Sequence, residues 1–217
     1  MICHKYKCIF VHIPKTAGQS IEHVFLNLLG LSWEEREPLL LKFNYDKNLG
    51  PPRLAHLKAQ EYLKYNYISQ SMFDSYFKFS FVRNPWSRIV SFYNYRRYYQ
   101  LFSFKHFVTK RLKNKILERD YWFIGPQYEF IMNHNGDIIV DYIGRFENLQ
   151  NDFNVICNAL GLKDVKLPHV NKAREASFMQ KFFRKSKRHY SEYYDKETKE
   201  IVENAYKKDI QIFNYSF

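Results

Sequence analysis

Two hydrophobic periods alternate along this chain. "KCIFVHI" (7–13) is a continuous apolar run and reads as a buried strand, and a helical pattern follows from Ser20 to Leu29. Residues 30–52 are loop-rich and close with "NLGPPR". "LKAQEYLKY" (57–65) is a short amphipathic helix, and "YFKFSFV" (76–82) alternates with aromatic residues as a strand does. Pro85 fits the first turn of a helix through "WSRIVSFYNYRRYYQL", and "FKHFVTKRLKNKILERD" continues as another. "DIIVDYIGRF" (137–146) supplies one or two strands, "ENLQNDFNVICNALG" a helix ending at Gly161, and "DKETKEIVENAYKKDIQIF" a C-terminal helix. Strands separated by helices predict an α/β fold with a mostly parallel sheet covered on both faces. With no repeat or long linker, residues 1–217 are expected to form a single domain.

Charge adds a direction. Thirty-four Lys and Arg against 22 Asp and Glu leave +12, which favours an anionic partner or a basic outer face. The three cysteines, Cys3, Cys8 and Cys157, match neither a disulfide framework nor a zinc site. No apolar run approaches a membrane span, so a reduced, cytoplasmic setting is expected unless an anchor precedes the chain.

The chemistry concentrates where strands run into helices. In α/β sheets ligands gather there, and a helix start offers unpaired N–H groups to phosphate or sulfate. "HIPKTAGQS" (12–20) is such a turn: Gly18 permits close backbone approach, Thr16 and Ser20 add hydroxyls, and Lys15 adds a mobile charge. An ATP-type loop needs glycines upstream of its lysine, and here the glycine follows it. A metal-nucleotide enzyme would also need a strand-end Asp, for which Asp141 is available. In "FVRNPWSRIVSFY" (81–93), Arg83 closes a strand and Ser91 lies two turns along the next helix, which suits a second phosphate group.

These two segments resemble the 5′-phosphosulfate loop and the 3′-phosphate motif of sulfotransferases that use 3′-phosphoadenosine 5′-phosphosulfate (PAPS). The chain is most similar to the carbohydrate group often called sulfotransferase family 2, in a compact form. Further similarity lies in "AHLKAQEYL" (55–63), "GPQYEFI" (125–131), "VDYIGRFENL" (140–149), "LPHVN" (167–171) and "DIQIFNYSF" (209–217). The resemblance implies a P-loop-like three-layer fold, with PAPS as donor, PAP as product and no required metal. It implies that Lys15, Thr16, Ala17, Gly18, Gln19 and Ser20 wrap the phosphosulfate, that Arg83 and Ser91 hold the 3′-phosphate, and that Phe146 lies near the adenine. Gln19 stands where relatives often carry Thr.

Transfer to a hydroxyl needs a base, and the resemblance implies His56, ahead of the helix 57–65, in that role beside Lys15 as the charge-stabilising catalytic residue. An unperturbed imidazole titrates near pH ~6.5. His12 reads as a hydrogen-bonded core residue, and Glu61 and His169 are alternative bases. The basic run 180–194 reads as a solvated surface or a cover for an anionic ligand. The expected partner is a carbohydrate acceptor, possibly anionic. Nucleic acid is not expected. Two rivals remain: a P-loop small-molecule kinase and a non-enzymatic basic module that binds nucleic acid.

Overall fold

A computed structural model describes residues 1–112, 114, 121–163, 165–168 and 188–217. The architecture is α/β. Among the described residues the sheet has the order β1-β2-β3-β4, made from β1 (Ile2–Cys3), β2 (Cys8–Val11), β3 (Phe77–Val82) and β4 (Tyr142–Arg145). β1 is antiparallel to β2, while β2, β3 and β4 are parallel, with Val11 opposite Ser80 and Val82 opposite Arg145. All three parallel strands therefore deliver their C-terminal ends to one edge.

Between β2 and β3 lie α1 (Gly18–Leu29), α2 (Ala59–Lys64) and α3 (Gln70–Ser75). Between β3 and β4 lie α4 (Pro85–Tyr95), α5 (Phe104–His106), α6 (Tyr121–Ile124) and α7 (Tyr128–Ile131). After β4 come α8 (Leu149–Ala159), α9 (Lys196–Ala205) and α10 (Lys207–Ile212). The period-2 rule divides the strand side chains between two cores. Phe10, Phe79 and Phe81 pack with Phe25 of α1 and Phe153 of α8. Ile9, Val11 and Val82 face the other way, onto Tyr62, Phe73 and Phe130 of α2, α3 and α7. A third cluster joins α4, α5, α6 and α9 through Trp86, Phe92, Phe104, Phe123 and Val202. Helices cover both faces of the sheet, which is the three-layer arrangement expected.

Several elements are shorter than their patterns predict. α5 opens after three residues into a wider turn over Phe107–Leu112, and the rest of that expected helix lies largely outside the described residues. Residues 137–141 do not join β4; Ile138 instead makes an isolated bridge with Met132. The C-terminal helix is two helices, broken at Tyr206, whose hydroxyl donates to the Ile124 carbonyl at 2.7 Å. His169 and residues 180–187 of the basic run lie outside the described residues. No described helix is long and apolar enough to cross a membrane.

Candidate active site

The turn after β2 is built under strain. Lys15 and Ala17 both hold φ of 71°, a left-handed conformation that costs a non-glycine residue about 1–3 kcal/mol. Two buried groups keep it there. Thr16, fully buried, donates from its hydroxyl to the Ile13 carbonyl at 2.8 Å. Arg88 of α4 donates Nε to the Pro14 carbonyl at 3.0 Å, Nη1 to that of Gly125 at 2.9 Å and Nη2 to that of Phe123 at 3.2 Å. Thr16 is therefore a support for the turn, and its hydroxyl is already committed.

The turn ends in the start of α1, where no side chain caps the helix and its first turn contains no acidic residue. Ala17 precedes the first helical residue, Gly18, and Gln19 is exposed. Ser20 is 7% exposed, and its amide donates to the Ala17 carbonyl at 3.0 Å. The positive end of the helix is thus left to whatever the turn holds. Gly18 is required by contact: a Cβ there would stand 2.1 Å from Nε2 of His12.

Sheet register assembles the second half. Because Val82 pairs with Arg145, the residues that follow, Arg83 and Phe146, leave the sheet side by side. The Arg83 guanidinium carbon lies 3.9 Å from the Phe146 ring centroid, a cation–π contact worth about 1 kcal/mol. Arg83 Nε and Nη2 donate to the Ser87 hydroxyl at 3.0 and 2.8 Å, and Nη1 donates to the Lys15 carbonyl at 3.2 Å. Ser91 is half-buried one helical turn past Ser87, so the two hydroxyls share a face of α4. The Gln127 amide brackets the Arg83 backbone, accepting from its N–H at 2.9 Å and donating to its carbonyl at 2.8 Å. Behind it, Asp209 accepts from the Gln127 N–H at 2.8 Å.

Two cations therefore converge. Burial, helped by the Arg83 charge, pulls the Lys15 ammonium down to about 8, and Nζ rests 4.1 Å from the Tyr95 ring centroid. Burial also lowers the Arg83 guanidinium from its usual value. Glu147, the neighbouring carboxylate, is turned to the Asn84 N–H at 2.8 Å and the Tyr215 hydroxyl at 3.1 Å.

His56 ends a short 3₁₀ turn, Leu54–His56, and is 7% exposed. Its Nδ1 lies 2.9 Å from the carbonyl oxygen of His12. A carbonyl can only accept, so Nδ1 carries the proton and Nε2 keeps its lone pair. Burial, then the nearby His12, pushes His56 well below the ordinary imidazole value of 6.5. Trp122 and Phe123 lie with ring centroids 5.6 and 6.1 Å away, and Phe123 stacks on Tyr95 at 5.6 Å, so an aromatic wall runs from His56 to Lys15.

The alternative groups are occupied elsewhere. Glu61 accepts from the Lys58 N–H at 2.8 Å and caps α2. Asp141 precedes β4 and accepts from the Lys78 N–H at 2.7 Å, at the opposite end of the strands from Arg83 and Phe146. It is not placed to serve a ligand at the site, as the kinase alternative requires. The sequence reading assigned no role to Ser87, Arg88, Gln127 or Asp209, although each lies within a segment that carries the resemblance.

A solved structure similar to this chain was not found. An uncharacterized protein of Archaeoglobus fulgidus is 33% identical over 116 residues, covering 52% of this chain and 91% of the relative. The model of the sulfotransferase family matches residues 1–216. A strained turn that offers donors to an anion, joined by hydrogen bond to a second cationic strand end, is thus carried by a chain that belongs to the sulfotransferase family.

Proposed function

We propose that this sulfotransferase takes PAPS as its donor and transfers to a hydroxyl of a carbohydrate, with residues 1–217 acting as one catalytic domain. The observation that carries this reading is the bond from Arg83 to the Lys15 carbonyl, which makes two cationic strand ends one site for a ligand with two anionic groups. The donor set fits: an ammonium, a guanidinium and an uncapped helix start, with the neighbouring Glu147 engaged by the Asn84 N–H and the Tyr215 hydroxyl. PAPS supplies the sulfuryl group and leaves as PAP.

In this reading Lys15 and the N–H groups at the start of α1 hold the 5′ end, and Arg83 and Ser91 hold the 3′-phosphate. Phe146, covered on one face by Arg83, offers the adenine an aromatic surface. Nε2 of His56 takes the proton of the acceptor hydroxyl as its oxygen bonds to sulfur. Lys15 and the turn stabilise the charge that collects on the departing phosphate oxygen. The exposed Tyr95, stacked on Phe123, and Trp122 on the other side of Phe123 provide apolar ring surface on the acceptor side. A cytoplasmic setting belongs to the same reading and is supported by the free, buried Cys3, Cys8 and Cys157.

The test is transfer of label from sulfur-labelled PAPS to a panel of chondroitin, heparosan, dextran and simple glycosides, with product mapping. Label on a saccharide hydroxyl is expected. PAP should raise the melting temperature without Mg²⁺, and more than ATP does. A larger ATP shift that requires Mg²⁺ would favour the kinase instead.

A further inference from the structure

The proposed base leans on a second buried histidine, which has a buried carboxylate as its partner. His12 and Glu22 are 5% and 2% exposed, and Nδ1 of His12 lies 2.6 Å from Oε1 of Glu22. The carboxylate accepts, so His12 donates from Nδ1 and turns its other edge toward the start of α1. A carboxylate buried beside an anion-binding turn weakens the positive field there, and a His–Glu pair costs more to bury than two apolar residues. Core packing alone does not account for it.

The surroundings of the His12 ring do. Phe10 stacks on it at 5.3 Å between centroids. On the turn side Gly18 lies so close that no Cβ fits. On the acceptor side the His56 ring meets it edge-on at 4.4 Å, and the main-chain oxygen of His12 accepts from His56. One residue therefore touches both the turn that faces the donor and the imidazole that faces the acceptor.

We propose that the His12 side chain, held by Glu22, is a positioning residue that sets the spacing between the turn that faces the donor and the base. This rests on the reading of His56 as base. His56 stands on a three-residue turn, Leu54–His56, so no long helix or strand fixes its direction. Its orientation comes from His12 and from the rings of Trp122 and Phe123. Misplacement by about 1 Å can cost on the order of 10²-fold in rate. The charged or titratable groups that act on His56 are His12 beyond β2, Arg53 on its own turn and the buried amino group of Met1 beside β2. The rings facing it from α6 are uncharged. Replacing His12 by a neutral side chain therefore removes a neighbour that disfavours protonation of His56.

The test uses His12→Asn and Glu22→Gln in the full chain. An Asn amide can still donate to Glu22, so the carboxylate keeps a partner while the ring is lost. Glu22→Gln keeps the acceptor atom and removes only the charge. Nitrogen NMR of labelled histidine reads the tautomer and titration of His56 without any turnover. In His12→Asn the Nδ1–H form should persist, because the main-chain oxygen at position 12 remains, while the ring signals of His56 shift and its midpoint moves up. With the best acceptor of the panel, kcat should fall about 10²-fold, and its acidic limb should move with the NMR midpoint. PAP affinity should change little, and Glu22→Gln should lie between the two. Unchanged His56 signals in a folded His12→Asn protein overturn the proposal, as does a rate loss that merely tracks melting temperature and PAP affinity. Should wild type fail to transfer from PAPS, the functional reading falls, while the NMR still decides whether His12 positions His56.

Discussion

Nη1 of Arg83 donates to the main-chain oxygen of Lys15 across 3.2 Å, joining segments 68 residues apart in the chain. The bond uses the carbonyl and leaves the Lys15 ammonium on the Tyr95 ring. Two cations held this close repel each other, and a ligand that neutralises both relieves the repulsion. The site is thereby biased toward anions before any ligand arrives.

Lys15→Ala should lower turnover by about 10²–10³, the scale for losing one preorganised electrostatic donor, and leave the fold intact. Its ammonium titrates at about 8 in the free protein, so it is charged below that pH and neutral above it. PAP affinity should fall as pH rises through 8, and binding near that pH should take up a proton. Calorimetry in buffers of different ionisation enthalpy measures the uptake. An affinity flat from pH 7 to 9 would remove the lysine from the binding site.

Arg83→Ala should weaken PAP more than Ser91→Ala does, because a charged, multidentate contact is lost. Arg83→Lys should recover little, since an ammonium cannot bond Ser87 and the Lys15 carbonyl together while covering Phe146. The readout is the affinity ratio between PAP and the same nucleotide without its 3′-phosphate. A ratio that stays at the wild-type value shows that Arg83 supports the turn and nothing more.

His56→Ala should lose most of the rate and bind PAP almost as before. In wild type the acidic limb of the kcat profile should lie well below 6.5, because burial and His12 disfavour the imidazolium. A base works unprotonated, so this shift keeps it active into acid and weakens it as a proton acceptor. The pH–rate profile of the mutant decides: an acidic limb that survives in His56→Ala belongs to another residue.

Arg88→Met should destabilise the protein by about 3 kcal/mol, since three carbonyls lose their donor in the interior. Denaturant midpoints measure the loss, and saturating PAP should recover part of it by mass action. A variant as stable as wild type would show that water takes over these bonds.

The residues legible in the sequence are those whose type fits only one place. Lys15 and Gly18 stand where an apolar run meets a helical one, and Arg83 followed by Asn84-Pro85 repeats that junction. Arg88, inside a helical pattern, reads as a solvated charge until α4 is packed, when it becomes 2% exposed. Gln127 and Asp209 are polar positions in amphipathic stretches, and only docking of α10 beside α7 makes them the clamp on Arg83. Tyr206 lies within one continuous helical pattern, yet the helix is interrupted there, where its hydroxyl bonds to the distant Ile124 carbonyl. The lowered titration of His56 comes first from burial and then from His12, 44 residues away, and two of the rings packed beside it lie more than 60 residues on, which no local window contains.

The contact between His12 and Gly18 makes positions 12 and 18 a single evolutionary choice. While an imidazole stands at 12, every residue with a Cβ is excluded from 18 by an overlap at 2.1 Å. Shrinking His12 to a small residue opens that volume and admits Ala at 18. Among relatives the two sites should therefore drift as a pair, with a glycine retained wherever a ring is retained. In a double-mutant cycle the two substitutions should be strongly non-additive, the second tolerated only in the background of the first.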